Sequence, residues 1–158
     1  SGSLIRVVES IEDNGLGYKN IAREIYEAGL EPRYLFCPVG EGELMTKLAL
    51  ALQGHGTKII GVTVDDNVFA RNGDFHSGVS QSPADKLVTA YSDFKPLLTK
   101  LCEKYGHQII TVSDAEIIQA HRSLQELQIN AEPSAAAAFA GARKYLRETG
   151  ATMNDDAV

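Results

Sequence analysis

The stretch from Tyr34 to Val64 constrains the architecture of this chain more than any other. Tyr34-Leu-Phe-Cys37 is a short apolar run without polar alternation, as in a strand covered on both faces within a parallel sheet. Pro38-Val-Gly-Glu-Gly-Glu43 interrupts the run, and from Leu44 to Leu52 the apolar residues recur at helical spacing. Gly54-His-Gly56 ends that helix, and Lys58-Ile-Ile-Gly-Val-Thr-Val64 reads as a second buried strand. A strand-helix-strand unit crosses over right-handed, which makes its strands parallel neighbours. The glycine turn therefore lies at the carboxyl end of the first strand, where open α/β sheets bind their ligands.

Gly40 and Gly42 permit a tight turn and close backbone approach to a ligand. The first N–H groups of the following helix have no partners inside it, so the turn aims several donors at one point. Such a point suits anions, phosphate above all. A Gly-x-Gly pair has low specificity, because ordinary strand-to-helix connections also contain it.

The rest of the chain continues the alternation of helix and strand. Leu4 to Ile11 suits a short helix, and Tyr18 to Ala28 a second with Ile21, Ala22, Ile25 and Tyr26 inward and Gly29 as its stop. Asp65 to Pro83 lacks periodicity and reads as a long surface loop. Phe94 to Tyr105 reads as a helix and Gln108 to Val112 as a third strand, before Ser113-Asp-Ala-Glu116 forms a capping box opening a helix to about Leu127. Ser134 is the expected N-cap of the helix Ala135 to Leu146, whose alanines imply close packing on the sheet. After the polar stretch Gly150 to Asp156, Ala157-Val158 reads as the first residues of a further strand. The expected fold is a three-layer α/β sandwich with a small, mainly parallel sheet, in a single domain over residues 4–158. Ser1, Gly2 and Ser3 read as a tag remnant.

At 158 residues with 44% hydrophobic content, the chain can bury one globular core. Its net charge is −6 and its basic residues are scattered, which gives no basis for a nucleic-acid or membrane-surface partner. No apolar run approaches the roughly 20 residues of a membrane span. Cys37 and Cys102 fit reduced thiols better than a disulfide framework, so a cytoplasmic location is expected. His55, His76, His107 and His121 lack metal-ligand spacing and are expected at the surface, with no metal site. Ser77 and Ser80 lack the Gly-x-Ser-x-Gly setting of a hydrolytic nucleophile. Asp65 and Asp66, just past the second strand, either line the cleft or form a solvated turn.

Three stretches taken in order resemble one family. Asn20-Ile-Ala-Arg-Glu-Ile25 is the first, and Pro38-Val-Gly-Glu-Gly-Glu-Leu44 followed by Lys58-Ile-Ile-Gly-Val62 the second. Ile109-Ile-Thr-Val-Ser-Asp-Ala-Glu-Ile117 with Ala131-Glu-Pro-Ser-Ala-Ala-Ala-Ala138 is the third. Together they resemble the fold type II pyridoxal-phosphate enzymes, the tryptophan synthase beta superfamily. That group includes threonine synthase, the serine and threonine ammonia-lyases and cysteine synthase. The resemblance implies pyridoxal phosphate as cofactor, held at its phosphate by the backbone of Val39, Gly40, Glu41, Gly42, Glu43 and Leu44. It implies that Ser134 meets the pyridine nitrogen, and that the substrate is a small hydroxy or phospho-hydroxy amino acid.

Two departures accompany the resemblance. The family's Schiff-base lysine stands beside a serine or threonine in a more N-terminal segment, and Lys19, Lys47, Lys58, Lys86, Lys95, Lys100, Lys104 and Lys144 all lack that setting. All eight read as surface charges, so no catalytic residue is assigned and the chain is expected to be a fragment, inactive alone. Exposed sheet edges then imply self-association, with a homodimer as the simplest form. The loop also carries Glu41 and Glu43 where the family places small or neutral residues. Either one carboxylate occupies the anion site, favoured there by the helix N-terminus, or both point to solvent, with Lys47 near. The alternative function is a binding or interaction module that keeps the fold and has lost the cofactor.

Overall fold

The computed structural model describes residues 17–70 and 82–150. The expected helix Leu4 to Ile11, the tag residues, most of the Asp65 to Pro83 loop with His76, Ser77 and Ser80, and the tail from residue 151 lie outside the described residues.

Three strands form one parallel sheet in the order β1-β2-β3: β1 is Tyr34–Pro38, β2 Lys58–Thr63 and β3 Gln108–Thr111. Tyr34 pairs with Lys58 through to Pro38 with Val62, and Ile60 pairs with Gln108 through to Thr63 with Thr111. Five helices cover the sheet: α1 (Gly17–Glu27), α2 (Glu43–Ala51), α3 (Lys95–Tyr105), α4 (Asp114–Glu126) and α5 (Pro133–Thr149). Ala22 and Ile25 of α1, Met45 and Leu48 of α2, and Leu98 and Leu101 of α3 pack on Leu35, Cys37 and Ile59. Ile117 and Ala120 of α4 and Ala137 and Ala140 of α5 pack with Val62 and Val112 on the opposite side. These layers form a small α/β sandwich, as expected from the alternation in sequence.

Only β2 is covered on both faces, with Ile59 through Thr63 all buried. β1 is an outer strand and alternates between buried and half-buried residues, with Leu35 and Cys37 in the cluster of α2 and with Tyr34 and Phe36 on the α5 side, against Tyr145. Burial pushes the Cys37 thiol up to about 12, with Cys102 adding a smaller push, so it behaves as a protonated core residue.

Two glycines let helices lie close to the sheet. A β-carbon on Gly61 of β2 would stand 2.5 Å from the Met45 sulfur and 2.7 Å from a Val39 methyl. A β-carbon on Gly141 of α5 would collide with both methyl groups of Val62. The alanine run serves that same close approach, with Ala136 and Ala137 fully buried.

Besides the expectation that Tyr34 to Cys37 is covered on both faces, two more are corrected by the structure. Ser134 is not the N-cap of α5: the cap is Glu132, in extended conformation, and Pro133 takes the first helical position. Proline's fixed φ suits that position and forces the residue before it out of the helix, which moves the start of α5 upstream. His107 is not at the surface either. It is buried, and its Nδ1 accepts the Ile59 N–H at 3.2 Å, tying the start of β3 to that of β2. His55 is exposed and His121 half-buried.

Candidate functional site

The glycine turn follows β1 directly, with Val39 N–H donating to Val62 O at 2.8 Å. Its carbonyls are then taken up in succession by side chains. Thr63 Oγ1 donates to Val39 O at 2.7 Å, and Asn67 Nδ2 donates to Gly40 O at 2.9 Å. Ser92 Oγ donates to Glu41 O, and Thr46 Oγ1 to Gly42 O at 2.7 Å. The first helical backbone bond runs from Thr46 N–H to Gly42 O at 3.0 Å. The N–H groups of Gly40, Glu41, Gly42, Glu43, Leu44 and Met45 have no acceptor among the described residues. Four successive carbonyls are held by the protein while the neighbouring donors stay available. That donor set matches an anion with several acceptor oxygens.

Close packing fixes the shape of the turn. Gly42 has φ 87°, and a β-carbon there would stand 2.7 Å from Phe69 Cζ and 3.0 Å from Leu98 Cδ2. A β-carbon on Gly40 would stand 2.8 Å from Lys86 O. Both glycines are therefore demanded, one by its φ and both by their neighbours.

The segment under Gly40 also connects the turn to α5. It forms one 3-10 turn, Asp85–Leu87, whose Leu87 is buried beside Ala137 and Ala140. From its surface Lys86 Nζ reaches Glu132 Oε2 at 2.5 Å, at the cap of α5. At the far end of α5, Tyr145 lies 5.4 Å by ring centroid from Tyr34 at the start of β1. The N-terminal turn of α5, with Ser134, therefore lies toward the carboxyl end of β1, at the same end of the sheet as the glycine turn. Ser134 is buried and its hydroxyl has no hydrogen-bond partner among the described residues.

Of the seven residues singled out in the sequence, Val39, Gly40, Glu41 and Gly42 form the turn, Glu43 and Leu44 open α2, and Ser134 stands in the first turn of α5. Among the described residues neither the Glu41 nor the Glu43 carboxylate accepts a hydrogen bond from the loop, and the cap of α2 is Gly42. Self-occupation of the donor site is thus not the arrangement adopted. Glu41 is exposed and Glu43 half-buried. Lys95 and Lys144 are more than surface charges, since Lys95 Nζ donates to Val68 O at 2.6 Å and Lys144 Nζ to Thr111 O at 2.8 Å. The sequence reading missed Thr63, Asn67 and Ser92, which hold the carbonyls. No local pattern marks them, since the turn carbonyls they hold lie 24 to 51 residues away in the chain. Among the described residues no cluster of side chains could hold a metal ion, and no helix is long and apolar enough to cross a membrane.

A parallel sheet with helices on both faces and a glycine turn at a strand's carboxyl end defines an open-sheet α/β domain, a class that binds its ligands at that end. Residues 5–158 match the model of the pyridoxal-phosphate dependent enzymes, and the chain belongs to that family. Pyridoxal phosphate is the cofactor that goes with it. Among solved structures, the chain is similar to the processed form of threonine deaminase isoform 2 from Solanum lycopersicum, with TM-score 0.73 and 24% identity over 91% of this chain and 43% of that one. It is also similar to a T.th. threonine deaminase, with TM-score 0.68 and 21% identity over 90% of this chain and 52% of that one. Serine racemase from Dictyostelium discoideum gives TM-score 0.69 and 21% identity over 91% of this chain and 47% of that one. At these identities the likeness is one of fold. The chain spans about half the length of these structures. No curated protein sequence matches it.

Proposed function

We propose that this chain is the phosphate- and pyridine-holding portion of an enzyme acting on a hydroxy or phospho-hydroxy amino acid, of the ammonia-lyase or threonine synthase type. The observation that supports this reading is the run of N–H donors from Gly40 to Met45 that have no acceptor among the described residues, beside four carbonyls that the protein itself has engaged. Because the Val39 N–H is taken by Val62 O, the donors that would hold the phosphate are those from Gly40 to Met45. The Ser134 hydroxyl meets the pyridine nitrogen as a neutral partner, which leaves that nitrogen without a proton of its own. Leu98 and Phe69, packed at Gly42, keep water from the back of the turn. When bound, pyridoxal phosphate supplies an electron sink for bond changes at the α, β or γ carbon of an amino acid.

A calorimetric titration of the chain with pyridoxal phosphate, with inorganic phosphate as competitor, tests the reading. Saturable binding that phosphate competes away and Ser134→Ala weakens is the expected outcome. Absence of binding in the folded chain would refute it. The second reading, a binding module without cofactor, draws on the two carboxylates at the turn, Glu41 and Glu43, which repel a phosphate dianion.

A further inference from the structure

We propose that Asn67 is a positioning residue that holds the glycine turn in its donor-outward form and in register with α5, an inference that rests on the cofactor reading of the turn. Asn67 is fully buried just after β2, and both ends of its amide are engaged. Nδ2 donates to Leu87 O at 2.5 Å, to Gly40 O at 2.9 Å and to Val39 O at 3.2 Å. Oδ1 accepts the N–H of Phe69 at 2.9 Å. The two amide protons are thus shared among three carbonyls from two separate segments.

The geometry needs an amide. A carboxylate would face three carbonyl oxygens without a proton, and a hydroxyl lacks the second proton and the separate acceptor. By holding the Val39 and Gly40 carbonyls inward, Asn67 turns the following N–H groups away from the protein. By accepting from Phe69 it sets the ring that packs against Gly42. Through Leu87 it ties the turn to the segment between Gly40 and the start of α5, a tie extended by Val68 N–H to Thr89 O at 2.8 Å. Loss of Asn67 would remove the side-chain donor from the Gly40 and Leu87 carbonyls and leave Val39 O with Thr63 alone, a defect that loop rearrangement relieves at the expense of the donor array.

The test compares Asn67→Ala and Asn67→Asp with Leu124→Ala, a core variant away from the turn. Asn67→Asp keeps the side-chain volume and the Phe69 acceptor, so the comparison stands even where Asn67→Ala does not fold. Two readouts are taken: 15N order parameters of the turn amides and the affinity for pyridoxal phosphate. Both Asn67 variants are expected to lower order at Gly40 to Glu43 from about 0.85 to below about 0.6. They are also expected to weaken the cofactor about tenfold or more. Leu124→Ala should lower the melting temperature while leaving both readouts unchanged. Unchanged turn order in a folded Asn67 variant would overturn the proposal. Lost order in the variants, with no cofactor binding by the wild-type chain, would keep the positioning role and remove the cofactor reading.

Discussion

Gly42 faces the ring of Phe69 so closely that a β-carbon on it would stand 2.7 Å from Cζ. Its φ of 87° adds a second reason for glycine there. Gly42→Ala is expected to cost about 1–3 kcal/mol from backbone strain and collision together. Phe69→Ala should relieve the collision and leave the strain, so the double variant is more stable than additivity predicts. Denaturant melts of the four proteins measure that coupling. Strict additivity would show that the ring does not press on Gly42.

Gly141 and Val62 form the corresponding pair on the opposite face of the sheet. Overpacking by Gly141→Ala should cost about 1–3 kcal/mol, since a backbone-borne methyl cannot rotate away. Shortening Val62 to alanine in the same chain should return part of that loss. Gly141 packs against the Val62 side chain, which belongs to the core cluster on the face opposite the helix that follows the turn, so affinity for phosphate should stay unchanged in Gly141→Ala.

His107 and Glu116 make stability depend on pH in two separate windows. Burial, with the charge of Lys58 second, holds the His107 imidazole below its ordinary 6.5. As pH falls below 6.5, the unfolded chain binds a proton there that the folded chain does not. Stability is therefore full above 6.5 and declines toward the folded value, where the Ile59 N–H loses its acceptor. At Glu116 burial pushes the carboxyl up, but the hydrogen bonds from Ser113 and the charges of Lys144 and Arg147 outweigh it, and the net shift is down from 4.5. The capping-box contribution is thus present above 4.5 and is lost as pH falls through the folded value. Unfolding curves of His107→Gln across the upper window should lack its decline while keeping the lower one.

Glu41 and Glu43 flank the donor array without bonding to it. Replacing both with glutamine removes repulsion of a phosphate dianion and keeps the size of the side chains. Phosphate affinity should rise by about fivefold for each charge removed. Equal affinity in wild type and double variant would place both carboxylates too far out to matter.

The parts of this fold that could be read from the sequence are those set by local pattern. The run Tyr34 to Cys37, the glycines after it and the strand from Lys58 specify a parallel pair and the place of the turn, all within one crossover. Ser113 and Glu116 declare their capping box because both halves of it lie within one helical turn. The place proposed for Ser134 beside the ring rests on family resemblance, and the capping role expected of it falls to Glu132 because the constraint before Pro133 outweighs a serine's preference. His107 and Asn67 were not legible, since their partners lie 48 and 20 to 28 residues away. A buried polar side chain reads like a surface one until the fold brings its acceptors to it.

The central claim, that the turn holds the cofactor phosphate while Ser134 meets the ring, is tested most directly by 1H–15N spectra of the chain as pyridoxal phosphate is added. The account predicts that the amides of Gly40 to Met45 shift first and furthest, with Ser134 moving in the same titration, and that inorganic phosphate reproduces the turn shifts alone. A titration in which those amides stay fixed while the chain is folded, or in which the shifts gather elsewhere, would contradict it.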